Sequence, residues 1–396
     1  TYPPRDARGG YLSLADYVQC YVRGIWDKDL FYQAVFTFLN IGSILGPASV
    51  VAQKGAVLPR KAGVGELNAF FGAGVIRPAD GRYHFDSVGD EIPAMKLAKT
   101  LYEELIPVVL SVELKRGEQD TPFSGFIRTI HVIYGIPYMI QVLTALGKDT
   151  LKRGYSYYSS QTDRKTVLSH LLKVCYPAPG ETAADLKRAL KGTDITKKRL
   201  VELSMYAQQW IPLVEEYLQL SGFQSGCYYF VAHTGERLDE TDAAMIARYT
   251  PLTAGELRDG AFDIPWFFEA YGKLGEKNWK LLYDAAKYSA TGAAHSRARK
   301  YADAALGKVK KEELFAEIRA KRNKDLLMSV GLLPIAGRMP GGGAAQGQSE
   351  QQRQAGESDL LERYQFIQQY KKESRQFGAQ RRASEGRAVE IALRNL

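Results

Sequence analysis

Residues 295–333 read HSRARKYADAALGKVKKEELFAEIRAKRNKDLLMSVGLL, and their rhythm decides the fold class. Leu314, Phe315 and Ile318 recur at helical separations, and Leu326 and Leu327 resume the apolar rhythm two turns later. That spacing places an apolar stripe on one side of a helix and leaves the charges outside it. The stretch reads as two short helices carrying most of the local positive charge. Behind it, residues 337–356, GRMPGGGAAQGQSEQQRQAG, lack any apolar stripe. Burial there cannot offset the entropy of ordering the chain, so a flexible insert is expected.

Helical patterning resumes at Asp359 and runs to the last residue, with Leu360, Tyr364, Ile367, Tyr370, Ser374 and Phe377 near one side. Upstream, helices are expected at 239–249, 253–258, 264–274 and 276–288. Thr253 with Glu256 forms a capping box, and Gly260 is placed to end that helix. Over 195–218 the periodicity is clearest, with Pro212 as a kink or as the first turn of a second helix. Thr182 and Asp185 resemble a capping box in which Asp replaces the longer Glu, and Asp163 or Thr162 opens a helix over 164–175. Residues 227–232, CYYFVA, form the most strand-like fragment, although aromatic core packing explains them equally well. Further helices are read at 91–114, broken at Pro107, and at 123–146, punctuated at Gly135-Ile136-Pro137. Residues 11–45 alternate aromatic and aliphatic side chains at helical separations, and 54–81 are Gly-rich and irregular.

The fold class expected is therefore mainly α, an irregular multi-helix array for which a HEAT-like solenoid is one arrangement. The division expected is an amino-terminal helical and Gly-rich region over 1–90, a main helical domain over 91–336, the flexible insert over 337–356, and a basic helical segment over 357–396.

With 396 residues, 45% hydrophobic and 24% charged, the chain can bury a substantial core. A formal charge of +9 eases polyanion binding without requiring it. Two long uncharged runs, 30–53 and 129–147, contain enough Gln, Asn, Ser and Pro to read as buried helices, so no membrane is expected. Cys20, Cys175 and Cys227 are widely spaced with no Cys-x-x-Cys, which disfavours a disulfide scaffold or thiolate zinc site and fits a reducing, cytoplasmic compartment. No initiating Met is present, and the helical pattern continues to residue 396, so a piece of a larger polypeptide is expected.

Several groups are candidates for chemistry. The cations Arg297, Arg299, Lys300, Lys321, Arg322, Lys324, Arg381 and Arg382 interrupt apolar rhythms and could line an anion groove. Pairing with Asp303, Glu312, Glu313, Glu317 and Asp325 is the more economical reading. Tyr155, Tyr157 and Tyr158 mix rings with hydroxyls and could stack on a base. His233 with Glu236 is the strongest proton-transfer pair, although a lone His is more often structural. The five His residues form no metal motif, no cofactor-binding motif is present, and no Ser nucleophile elbow occurs.

Tyr157–Ser160, residues 163–172, 245–252, 260–263, 295–302, 321–328 and 377–385 together resemble the bacterial DUF4132 family, and the resemblance spans much of 102–396. Some members of that family are labelled molybdate metabolism regulators, and some carry an additional WGR module. The resemblance implies a bacterial cytoplasmic regulatory or scaffold protein and carries no catalytic residue across. The function expected is a helical scaffold binding another protein or adjacent domains of the full-length chain. Nucleic-acid or other polyanion binding is the first alternative, and an enzyme with a site near His233 is the second.

Overall fold

The computed structural model describes residues 20, 23–27, 30, 75–76, 84–85, 107, 109–121, 124, 127, 130, 132–152, 163–235, 238, 240–289, 292–335 and 349–396. Most of 11–45 and 54–81, together with Tyr155, Tyr157, Tyr158, Glu236 and residues 337–348, lie outside the described residues. The described chain is mainly helical, as the periodicities imply, and forms two compact units, 1–195 and 196–396.

In the first unit, two-residue strands β1 (Val75–Ile76) and β2 (His84–Phe85) pair antiparallel. A second pair, β3 (Ile133–Tyr134) and β4 (Cys175–Tyr176), runs parallel. Helix α1 (Ile136–Leu146) follows β3 and has Pro137 in its first turn, where a missing amide proton costs nothing. It packs on α2 (Arg164–Lys173) and α3 (Ala183–Leu190). Asp163 opens α2 by accepting the Thr166 amide at 3.1 Å. Thr182 and Asp185 close a full capping box on α3, so the shorter carboxylate still reaches the Thr182 amide at 2.9 Å. The sequence pattern places residues 133–134 within a helix pair. They are strand instead, because β4 supplies ladder partners from 42 residues further along the chain.

The second unit is organised around a helix buried on almost every side. It begins with α4 (Lys197–Tyr206), a tight turn at Gln208–Trp210, and α5 (Ile211–Leu218), in which Pro212 occupies the first turn. Next comes α6 (Phe223–Thr234), every residue of which is buried except Gln224. The strand-like fragment 227–232 is thus helical. A segment enclosed on all sides shows no amphipathic stripe, so a short apolar run does not declare its period. Tyr229 lies at the centre, with ring centroids of Phe230, Trp266, Phe267 and Trp279 between 5.2 and 5.7 Å away.

Helices α7 (Glu240–Ile246) and α8 (Ala254–Asp259) lead to α9 (Ile264–Ala286), which bends at Gly275. Thr253 and Glu256 cap α8 reciprocally, and Gly260 ends it with a φ of 117°. Against α6, α9 approaches so closely that a Cβ on Gly226 would stand 2.6 Å from a Leu274 methyl. Residues 295–333 form three helices rather than two: α10 (Gly292–Ala305), α11 (Lys311–Lys321) and α12 (Lys324–Ser329). The additional break falls at Arg322, whose φ of 46° ends α11, and Asn323 immediately caps α12.

Helix α13 (Glu350–Glu373) starts earlier than its apolar stripe. Residues 350–356, assigned to the flexible insert, are helical because Ser349 and Gln352 form a capping box and the Gln- and Glu-rich sequence favours helix. The pattern read as one helix to the end is broken by a tight turn at Ser374–Gln376 before α14 (Ala379–Asn395). Helix α14 packs on α12 and α13. Asn395 ties its end to the core, accepting the Phe262 amide at 3.2 Å and donating to the Met328 carbonyl at 3.0 Å.

Candidate functional site

Arg322 sits where α11, α13 and α14 converge. Its guanidinium donates to Glu373 at 2.8 Å, to Glu385 at 2.7 and 3.4 Å, and to the Ser374 hydroxyl and Tyr370 carbonyl at 3.2 Å each. The rings of Tyr370 and Phe377 flank it, with centroids 4.1 and 5.0 Å away. Burial by itself would raise the Glu385 carboxyl. Hydrogen bonds from Arg322, Ser374 and Arg381 outweigh it and hold the group at about 2. Arg381 also donates to Glu385, at 2.9 Å, and lies 3.7 Å from the Phe377 centroid. These two cations therefore brace the fold. Arg322 draws its partners from α13 and α14 and not from the acids near it in sequence, whereas Arg381 pairs with Glu385 four residues further along its own helix.

The other basic candidates are dispersed. Lys321 pairs with Glu317 at 2.9 Å, and Arg299 with Asp303 at 3.5 Å. Lys324 donates to Ser384 at 2.6 Å, and Arg297 donates to the Arg258 carbonyl at 2.7 Å. Lys300 and Arg382 have no partner among the described residues, and Arg382 is exposed. Lys371, Lys372 and Arg375, on the last turn of α13 and the turn beyond it, are likewise exposed and unpaired among the described residues.

His233 is fully enclosed in the second unit. Its Nδ1 lies 2.8 Å from the Tyr229 carbonyl, which can only accept, so that nitrogen holds the proton. Nε2 is buried without a partner, as are the Tyr229 and Tyr301 hydroxyls. Burial lowers the His233 pKa to about 4, so the ring is neutral at physiological pH. Its intended partner Glu236 lies outside the described residues. Among the described residues, no cluster of three or more His, Cys, Asp or Glu is placed to hold a metal. Burial raises the thiols of Cys175 and Cys227, which removes them as nucleophiles at neutral pH. Likewise, no described helix is long and apolar enough to cross a membrane.

A surface that the sequence did not single out lies between α11 and α13. Phe315 and Phe366 stack face to face with centroids 3.8 Å apart, and the Arg319 guanidinium stands 5.2 Å from the Phe366 ring. They line a groove of about 260 Å³ together with Ile318, Gln365 and Gln369. On the outer side of the same helix, Leu361 and Tyr364 are 57% and 46% exposed. The apolar periodicity places Tyr364 on the inward stripe, yet it faces out. Each three-residue step falls about 60° short of a full helical revolution, so Tyr364 stands about 60° from Ile367 and about 120° from Tyr370.

Rigid contacts set this face. Lys311 reaches from the start of α11 to Asp359 at 2.9 Å and Glu362 at 2.5 Å. Buried Arg363 donates to the Leu333 and Pro334 carbonyls at 2.7 and 2.8 Å and pairs with Asp359. Helix α13 is thus fixed at its middle by Lys311 and Arg363, and at its end by Arg322. The residues between these anchors present apolar and amide side chains outward.

Comparison with known proteins places the whole of this architecture in one family. No curated protein and no solved structure matches the chain. A family model described as a family of unknown function, DUF5724, matches residues 11–396. This overturns the resemblance to DUF4132, a different family, and the labels that came with it do not carry over. The chain belongs to the DUF5724 family.

Proposed function

We propose that this chain is a helical scaffold whose outer α13 face binds a helix of a partner protein. The observation behind this reading is the pair Leu361 and Tyr364. Both are large, exposed and three residues apart on one side of a helix whose core face is already occupied. Isolated exposed apolar residues are common, but a pair one turn apart on the solvent side of a helix held fast from its other faces is a recognition surface in form. Gln365, Gln368 and Gln369 border it with neutral hydrogen-bonding groups, as the polar rim of an interface requires. The anchoring by Lys311, Arg363 and Arg322 means that little ordering entropy opposes binding.

A photo-crosslinking residue placed at Gln365 tests this in nuclease-treated lysate. One protein should be captured repeatedly at that position, and Leu361→Ser combined with Tyr364→Ser should abolish its capture while leaving the thermal transition in place. Capture that is diffuse, or that persists undiminished in the double variant, would overturn the proposal.

A further inference from the structure

The structure carries a second surface of different chemistry, independent of the apolar face. Around the turn from α13 to α14 stand Lys371, Lys372, Arg375, Arg381 and Arg382. Lys371 and Arg375 are four apart and Lys372 and Arg375 three apart, so all three share one side of the helical turn. Arg381 and Arg382 stand in the first turn of the next helix, three and four residues after Gly378.

The two acids inside this segment do not cancel that charge. Glu373 pairs with Arg322 at 2.8 Å, and Glu385 is claimed by Arg322 and Arg381. Lys371, Lys372, Arg375 and Arg382 are exposed, with no carboxylate partner among the described residues. Glu390, exposed on α14, lies two turns beyond Arg382. The amino-terminal turn of α14 adds its unpaired amides, since Gly378 offers no side-chain cap and the first turn holds no acid. Phe377, wedged against Arg322 and Arg381, stiffens the corner.

We propose that this corner binds the phosphate backbone of a nucleic acid, without reading its sequence. Guanidinium forks match phosphate oxygens in pairs, and an array of fixed cations suits a regularly spaced polyanion. The exposed large apolar residues of the second unit, Leu361 and Tyr364, lie at least seven residues before Lys371 on α13. The corner therefore lacks the apolar centre of a protein interface and the apolar face that a bilayer-bound helix inserts. Phosphate contacts position a partner but carry no sequence information, so duplexes of unrelated sequence should bind alike.

Fluorescence anisotropy of labelled mixed-sequence oligonucleotides with the full chain tests this, with vesicles containing phosphatidylserine as a parallel arm. With four phosphate contacts, affinity should fall on the order of 100-fold between about 50 and about 200 mM salt. The variant Lys372→Gln, Arg375→Gln, Arg382→Gln should bind at least about tenfold more weakly at the lower salt, and its salt dependence should shrink to a few-fold. A control of equal charge change at exposed Lys187→Gln, Lys191→Gln and Lys198→Gln should bind within about twofold of the native chain. Arg375→Lys with Arg382→Lys should retain most binding, which separates charge from folding. Equal weakening by both triple variants, binding to vesicles but not to oligonucleotides, or no salt-sensitive binding would each overturn the assignment.

Discussion

Arg322 and Glu385, 63 residues apart along the chain, meet at 2.7 Å, and the carboxylate is only 3% exposed. The contact closes α11 onto the α13–α14 turn and draws in Ser374, Tyr370, Phe377 and Arg381. An Arg in the left-handed region is unusual for a side chain with a Cβ. Here the guanidinium makes five hydrogen bonds, one from Nε, one from Nη1 and three from Nη2, which hold that backbone conformation in place.

Glu385→Ala should therefore destabilise the second unit by about 2–3 kcal/mol, somewhat less than a fully buried pair because Arg322 keeps Glu373 and remains partly exposed. Arg322→Lys should recover little, since an ammonium cannot serve several acceptors in a fork. Urea unfolding curves of the variants measure both effects, and a loss below about 0.5 kcal/mol would show the network to be ornamental.

The same carboxylate makes stability depend on acid. Its pKa falls from an ordinary 4.5 to about 2 on folding, so the unfolded chain takes up the proton first. The stabilisation is complete above about pH 4.5 and is lost as the pH falls towards 2. Glu385→Gln should be less stable than the native chain at neutral pH, and the difference should close through that window.

His233 acts at higher pH and by exclusion. Its pKa drops from 6.5 to about 4 because burial disfavours the cation. Below pH 6.5 the unfolded state binds a proton that the folded state refuses, so stability declines from pH 6.5 to pH 4 and levels off beneath that. The span is up to roughly 3 kcal/mol. His233→Leu should flatten the stability profile over this interval, and an unchanged slope would refute the assignment.

Two helical glycines should respond oppositely to the same change. A Cβ on Gly226 would meet Leu274 and Leu282 methyls at 2.6 and 2.9 Å, and overpacking of this kind costs about 1–3 kcal/mol. Gly272 has no atom within 4 Å of its Cβ position, so Gly272→Ala should stabilise by about 0.5–1 kcal/mol through helix propensity. Thermal denaturation of the pair reads the contrast directly.

Cys175 and Cys227 are 0% exposed, and burial raises both thiols. Neither should react with a maleimide in native buffer, and both should react once urea unfolds the chain. Mass spectrometry of labelled peptides distinguishes this from labelling by local opening.

Contacts within a few residues were legible in the sequence. The Thr182–Asp185 and Thr253–Glu256 boxes and the stop at Gly260 are each decided by groups lying within four positions of one another, whereas at Asp163 or Thr162, and at Pro212 as kink or first turn, the local reading left two choices that the structure resolved. The mainly helical class followed from apolar periodicity, since 3.6-residue spacing is a property of the local chain. Long-range choices were not legible. The helical state of residues 227–232 depends on enclosure by α9 and its neighbours, which erases amphipathic period as a signal. The parallel pairing of Ile133 with Cys175, the outward turn of Tyr364 and the choice of Glu373 and Glu385 over nearer acids also arise only when distant segments are brought together. Local hydrogen bonds are specified by the residues that make them. Which of many carboxylates a given guanidinium meets is set by the packing of whole helices, and only the tertiary structure contains it.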